Sequence, residues 1–386
     1  MQPLATCTFR RGARSLAFAI AIAATCTCQR VCAFDWQVDI TPSGELFPAL
    51  QLSQAPRTNA AAIGDGDGLV SVRVRGTDLP ARLHLRIETA GLRTPAVVDA
   101  ARGANAVRVL HPRLDWDIAA LRTLHAPRRQ PMRITFDGET REVEVRLHPL
   151  DDALYFVREG HDQVDLGWSF AGYVNPLDPV VDEVLALARE IDSDFAADAR
   201  AYDAATDVHR VGVVWAALEK HGLRYAAGNP ALSQGPLVYS QRVRLLGELW
   251  RERRANCLDS SVLIASVLER LGIRALIVLV PGHAFIRFDA GADRRDARYL
   301  ETTLLGVGAR TGRNSGAPAD AAHPTVAAAH FAAALEAGRA HWRRVASRLD
   351  GRHSPDFALI DIETARAYGI IPLTSARGER TAAVPL

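Results

Sequence analysis

The sequence predicts a multidomain chain, an N-terminal β-sandwich followed by a C-terminal α+β domain, and three observations carry that reading. Apolar residues alternate with polar ones through residues 34–150, helical spacing takes over after Pro176, and a continuous aliphatic run then leads into a tight turn. A chain of 386 residues exceeds what one compact core usually holds.

In the first part Val70, Val72 and Val74 alternate with Ser71 and Arg73, and Leu83, Leu85 and Ile87 alternate with His84 and Arg86. These are half-buried strands. Met132, Ile134 and Phe136 precede Asp137-Gly138, and Val143, Val145 and Leu147 follow it, which is a hairpin signature. Residues 34–150 therefore read as a small β-sandwich of immunoglobulin-like kind, a scaffold or binding module with no cluster of reactive side chains. Residues 151–175 read as a connector rich in Asp, Gly and Pro. Beyond it Val180, Val184, Leu187 and Ile191 recur at helical spacing, as do Val211, Val214, Trp215 and Leu218 before Gly222. Residues 306–324 lack periodicity and read as a long loop, followed by an Ala-rich helix through Trp342. An apolar strand over 357–362, a short helix ending at Gly369 and a polar, disordered tail at 374–386 complete the second part, so the α+β domain is expected over 151–373.

Arg10, Arg11 and Arg14 precede an apolar stretch at 16–24 too short to span a bilayer, the pattern of a secretory signal peptide over residues 1–33. Val31 and Ala33 suit a cleavage site before Phe34, which implies a periplasmic or secreted protein with no integral membrane segment left after cleavage. Cys7, Cys26, Cys28 and Cys32 all lie upstream of that point, so the mature chain keeps one cysteine, Cys257. An unpaired thiol in an oxidising compartment is a liability unless chemistry requires it. Charge is nearly balanced, 46 Lys and Arg against 44 Asp and Glu, and no basic stripe favours nucleic acid. There is no His-Glu-x-x-His, Cys-x-x-Cys or glycine-rich phosphate loop, so neither a metal nor another cofactor is expected.

Asn256 is a good N-cap, and Leu258, Val262, Ala265 and Leu268 follow at helical spacing until Gly272. Cys257 thus opens a buried helix, where the helix dipole and unpaired N–H groups should lower its thiol pKa and face an oxyanion. Residues 273–280 form an aliphatic run ending at Pro281-Gly282, and His283 begins the next strand. A third strand over 299–303, returning after a polar loop at 289–298, would bring Glu301 beside His283. Nucleophilic cysteine catalysis needs a thiolate, an imidazole within reach and an acceptor that orients the imidazole, roles that Cys257, His283 and Glu301 could fill.

Asn-Cys-Leu-Asp at a helix start, Leu-Gly-Ile before a strand, Pro-Gly-His-Ala-Phe and then Glu-Thr-Thr resemble the bacterial transglutaminase-like, papain-like superfamily, over roughly residues 176–305. The resemblance implies a Cys257–His283–Glu301 triad and a peptide, protein or cell-wall peptide substrate. The family's acid is most often Asp, so Asp289, Asp293 and Asp296 stand as rivals to Glu301, and the usual Gly before the cysteine is Asn256 here. Gln241, in Tyr239-Ser-Gln-Arg-Val-Arg244, is a candidate oxyanion donor and equally an exposed strand glutamine. Asp259 reads as a first-turn residue rather than a catalyst. The function expected is an exported thiol-dependent hydrolase or acyltransferase acting on amide bonds. A catalytically silent relative serving as a binding or scaffolding module is the alternative.

Overall fold

The computed structural model describes residues 34–55, 69–76, 79–101, 107–159, 162–200, 202–227, 237–306, 324–349 and 354–373. The expected signal peptide at 1–33, most of the loop expected at 306–324 and the tail at 374–386 lie outside the described residues. The protein is mixed α/β, with five β-sheets among those residues.

The first part holds β1 (Phe34–Ile40), β2 (Glu45–Leu46), β3 (Val70–Gly76), β4 (Arg82–Thr89), β5 (Ala96–Ala101), β6 (Val107–Leu110), β7 (Arg128–Phe136) and β8 (Glu139–Leu147). They form a three-stranded sheet in the order β1-β3-β6 and a five-stranded sheet in the order β2-β8-β7-β4-β5. Period-two alternation explains the burial. Val70, Val72 and Val74 of one sheet and Leu83, Leu85, Ile87, Met132, Ile134 and Phe136 of the other enter one apolar cluster with Trp36 and Phe47. The β7–β8 turn falls on Asp137 and Gly138, both at positive φ, as the hairpin signature requires.

The segment expected to be a connector is instead mostly strand and 3-10 helix. β9 (Asp152–Glu159) pairs antiparallel with β10 (Asp162–Asp165) on one side and with β12 (Val238–Arg242) on the other, with a 3-10 helix at Gly167–Gly172 following. The alternation signal is missing from β9 because Ala153, Leu154, Phe156 and Val157 are all buried, so both faces of this central strand are apolar. The remaining strands are β11 (Arg224–Tyr225), β12 (Val238–Arg242), β13 (Arg254–Ala255), β14 (Arg274–Val280), β15 (His283–Ala290), β16 (Asp296–Leu300) and β17 (Ala358–Asp361). The last four, apart from chain order, form one antiparallel sheet, β16-β15-β14-β17.

Helices Pro179–Ile191 and Ala204–His221 appear where the periodicity places them, the second ending at Gly222 in the left-handed region. A largely buried helix, Cys257–Arg270, runs through the second core. Val262, Leu263, Ala265, Val267 and Leu268 are buried there against Ile277, Ile286 and Phe288 of the four-stranded sheet. The Ala-rich helix spans Pro324–Val345 and lies along β16, where Trp342 stacks on Tyr299 with ring centroids 4.6 Å apart. The third strand of the expected hairpin begins earlier than the apolar pattern suggests: it runs from Asp296 to Leu300, and Glu301 is the cap of the 3-10 turn Thr302–Leu304 rather than a strand residue. Charged Asp296 and Arg298 hide this strand in the sequence, and they are suited to an edge, since β16 pairs with β15 alone.

Candidate active site

The start of helix Cys257–Arg270 is built by a reciprocal cap. Asn256 Oδ1 accepts from the Asp259 N–H at 2.8 Å, and Asp259 Oδ2 accepts from the Asn256 N–H at 3.2 Å. Asp259, fully buried, also accepts from the Arg244 N–H at 2.9 Å and from Arg244 Nε at 3.0 Å, so its carboxylate ties the helix start to the segment after β12. Its partners, Asn256 and Arg244, are structural, which agrees with a first-turn role. The Ser260 N–H begins the helix ladder by donating to the Asn256 carbonyl. The N–H groups of Cys257 and Leu258 are thereby left without an intrahelical acceptor, as in any helix of this geometry. The Cys257 carbonyl accepts from Ser261 Oγ at 2.7 Å and Thr302 Oγ1 at 3.1 Å, so the residue is held from both the helix and the turn after β16.

His283 stands at the first position of β15, opposite Val280 across the Pro281-Gly282 turn. Its Nε2 lies 2.9 Å from Glu301 Oε2, and the Cys257 thiol is close enough to act on the same ring and raise its pKa. With Nε2 engaged by the carboxylate, Nδ1 is the nitrogen left to the thiol. Burial disfavours the charged imidazole, yet Cys257 and Glu301 outweigh it and raise His283 to about 9. Burial likewise works against the Glu301 carboxylate, and the His283 bond, with donation from Thr303 Oγ1 at 2.8 Å, outweighs it and holds Glu301 down at about 2. The Tyr225 phenol is pushed up by burial and by the charges of Cys257 and Glu301, which places it at the border of this group.

One neighbour that the sequence did not reveal completes the cluster, His341. His341, on helix Pro324–Val345, lies with Nδ1 3.3 Å from Glu301 Oε2, and its ring stacks on His283 at 5.0 Å between centroids with 10° between planes. Phe285 flanks it, also at 5.0 Å. No local motif marks His341, since helical spacing in an Ala-rich segment says nothing about a partner 40 residues away. The ligand atoms of His283, Glu301 and His341 all lie within 4.8 Å of one another, the one such group among the described residues that could hold a metal ion. Their mutual hydrogen bonds account for that closeness.

The other candidates are placed elsewhere. Gln241 is on β12, its amide donating to the Arg242 carbonyl at 3.3 Å rather than reaching the cluster. Asp289 is buried at the far end of β15 and paired with Arg274 and Arg287 at 3.3 and 3.0 Å. Six residues of extended strand separate it from His283, roughly 20 Å. Asp293 is exposed, and Asp296 binds Arg298 at 2.7 Å. The rival acids thus make salt bridges of their own, and Glu301 alone among them touches His283.

Among the described residues no helix is long and apolar enough to cross a membrane. No protein-family model matches the chain, and no curated protein matches it. Among solved structures it is similar to a candidate protease from Parabacteroides distasonis, at 11% identity and a TM-score of 0.24, over 57% of this chain. The match spans 37% of the length of that protein, little more than a third. A likeness of that size fixes neither fold nor activity, and the functional reading rests on the residues themselves.

Proposed function

We propose that the chain is an exported thiol-dependent hydrolase or acyltransferase of transglutaminase-like kind, acting on peptide or protein amide bonds, with Cys257 as nucleophile, His283 as base and acid, and Glu301 as the orienting carboxylate. The observation that carries this is the imidazole of His283 bonded to Glu301 Oε2, with the Cys257 thiol close enough to raise the pKa of the same ring. The fold supports it in two ways. A cysteine helix packed on an antiparallel sheet, with the histidine opening one strand and the acid just after the next, is the order expected of the family. The two sheets over residues 34–147 share one core, which supports reading the first part as a β-sandwich. Export is read from residues 1–33 and from the single cysteine of the remaining chain.

In the reaction the Cys257 thiolate attacks the carbonyl carbon of an amide, and the imidazolium of His283 gives its proton to the departing amine as the C–N bond breaks. The oxyanion formed in passing meets the N–H groups of Cys257 and Leu258 at the helix start, a donor pair that takes the role expected of Gln241. Water or an acceptor amine then attacks the thioester, His283 removing its proton, and the thiolate leaves. Glu301 fixes the ring with Nε2–H toward itself and Nδ1 toward sulfur throughout.

Iodoacetamide labelling of the folded protein tests the proposal. Cys257 should label rapidly at neutral pH and lose that rate in His283→Ala, and thiol-directed acyl probes should form a covalent adduct at Cys257. Slow labelling unaffected by His283→Ala would leave a binding or scaffolding module as the better reading.

A further inference from the structure

We propose that His341 is a fourth member of the site, a positioning residue that sets the Glu301 carboxylate and the His283 ring for reaction with Cys257. The inference rests on the reading of Cys257 and His283 given above. Its ground is independent of that reading: one imidazole makes two contacts with the triad, each to a different member.

The first contact is polar. His341 Nδ1–H donates to Glu301 Oε2, the same oxygen that accepts from His283 Nε2, while Glu301 Oε1 accepts from Thr303 Oγ1 and the Thr303 N–H. Both oxygens of a carboxylate with 9% of its side chain exposed are therefore engaged, and rotation that would swing Oε2 off His283 must break bonds on both. The second contact is a face. The His341 ring lies nearly parallel to His283 and to Phe285, so the catalytic ring rests against a flat wall that opposes tilting.

The backbone supports this arrangement. Gly338, one turn before His341, has no Cβ to hold the helix away from β16: a Cβ there would lie 2.5 Å from the Tyr299 carbonyl oxygen and 2.8 Å from the Leu300 nitrogen. Closer to the site, the Glu301 N–H donates to the Ala334 carbonyl at 3.0 Å. Helix and acid are thus joined through main chain as well as through His341. A helix brought within contact of a strand by a glycine, and presenting at its next turn an imidazole to the acid that follows that strand, is arranged for Glu301 and His283 rather than for general packing.

The test uses the full chain and the pH dependence of Cys257 labelling by iodoacetamide, with a thermal melt of each variant. His341→Phe keeps a flat ring and removes the N–H. His341→Asn restores an N–H at the position of Nδ1, and His341→Gln places one farther out. In His341→Phe the midpoint of the labelling profile should rise by about 0.5 to 1 pH unit, a loss of roughly 3- to 10-fold in rate on the acid side. His341→Asn should recover most of that loss and His341→Gln should not, at comparable melting temperatures. If His341→Phe labels as wild type while His283→Ala does not, or if Asn is no better than Gln, the positioning role is wrong and the triad stands. If His283→Ala itself leaves the profile unmoved, the triad reading fails and takes this inference with it. Should His341→Phe not fold, the contrast between Asn and Gln decides alone.

Discussion

Replacing Glu301 by Gln keeps the size of the side chain and an acceptor oxygen beside His283 but removes the negative charge. In the wild type His283 stands at about 9 against an ordinary 6.5, raised over the opposition of burial by two partners, the Cys257 thiol and the Glu301 carboxylate. Glu301 acts on it both through the 2.9 Å hydrogen bond and through its charge, so losing the charge and weakening the bond should lower the imidazolium by about one pH unit, to roughly 8. The pair then narrows from both sides. The imidazolium needed to protonate a leaving amine disappears at lower pH, and a less stable imidazolium supports the thiolate less well, so the acid side of Cys257 labelling moves up. Nitrogen-15 NMR of the His283 ring reads the first change, and iodoacetamide labelling against pH reads the second. Asp289→Asn, Asp293→Asn and Asp296→Asn serve as comparisons, since each of those carboxylates is paired with arginine or exposed. An unchanged His283 titration in Glu301→Gln, with a larger effect from one of the three aspartates, would refute the assignment of Glu301.

Stability should carry the same signature. The raised His283 contributes stability that is full below about 6.5 and lost as pH rises through about 9, and the lowered Glu301 contributes stability present above about 4.5 and lost as pH falls through about 2. Glu301→Gln should therefore lower the melting temperature most between about pH 4.5 and 6.5, a window that melts at several pH values would map. Cys257→Ala should abolish labelling and any turnover while moving unfolding free energy by no more than about 1 kcal/mol, because the residue is only half-buried at a helix start. Asp259→Ala removes the side-chain half of the reciprocal cap and leaves Arg244 without its buried partner, and denaturant unfolding should show a loss of about 2 to 4 kcal/mol. Gly338→Val should cost about 1 to 3 kcal/mol and slow Cys257 labelling together, as the helix is forced off β16. Protein recovered from an exported fraction should have an intact mass beginning near Phe34, and a mass that retains residues before Cys26 would overturn the cleavage expected there.

Cys257, His283 and Glu301 were legible because each sits beside a strong local signal. Asn256 and Gly272 bracket the helix, Pro281-Gly282 marks the turn before His283, and the aliphatic run of β14 fixes the strand between them. Glu301 was found with its strand misplaced, since the charges of β16 look like loop and only the sheet edge explains them. β9 escaped for the opposite reason, being buried on both faces and so lacking any alternation. The four short strands β10, β11, β12 and β13 depend on pairing partners that no window of sequence contains. His341 depends on a glycine that permits one backbone to touch another, a property of the assembled chain rather than of any motif.

The hydrogen bond from the Glu301 N–H to the Ala334 carbonyl has a consequence for how the cluster is kept together. His341 is delivered by a helix that follows Glu301 by way of residues 307–323, so its presence at the cluster is an intramolecular event governed by effective concentration. A single peptide-bond cleavage anywhere in that stretch would alter no residue of the group, yet it would turn the helix, with β17 behind it, into a separate fragment that must be retained by its own affinity. Burial of Phe331, Ala327 and Ala334 and the pairing of β17 with β14 provide that affinity, and dilution of a nicked protein would show whether it suffices.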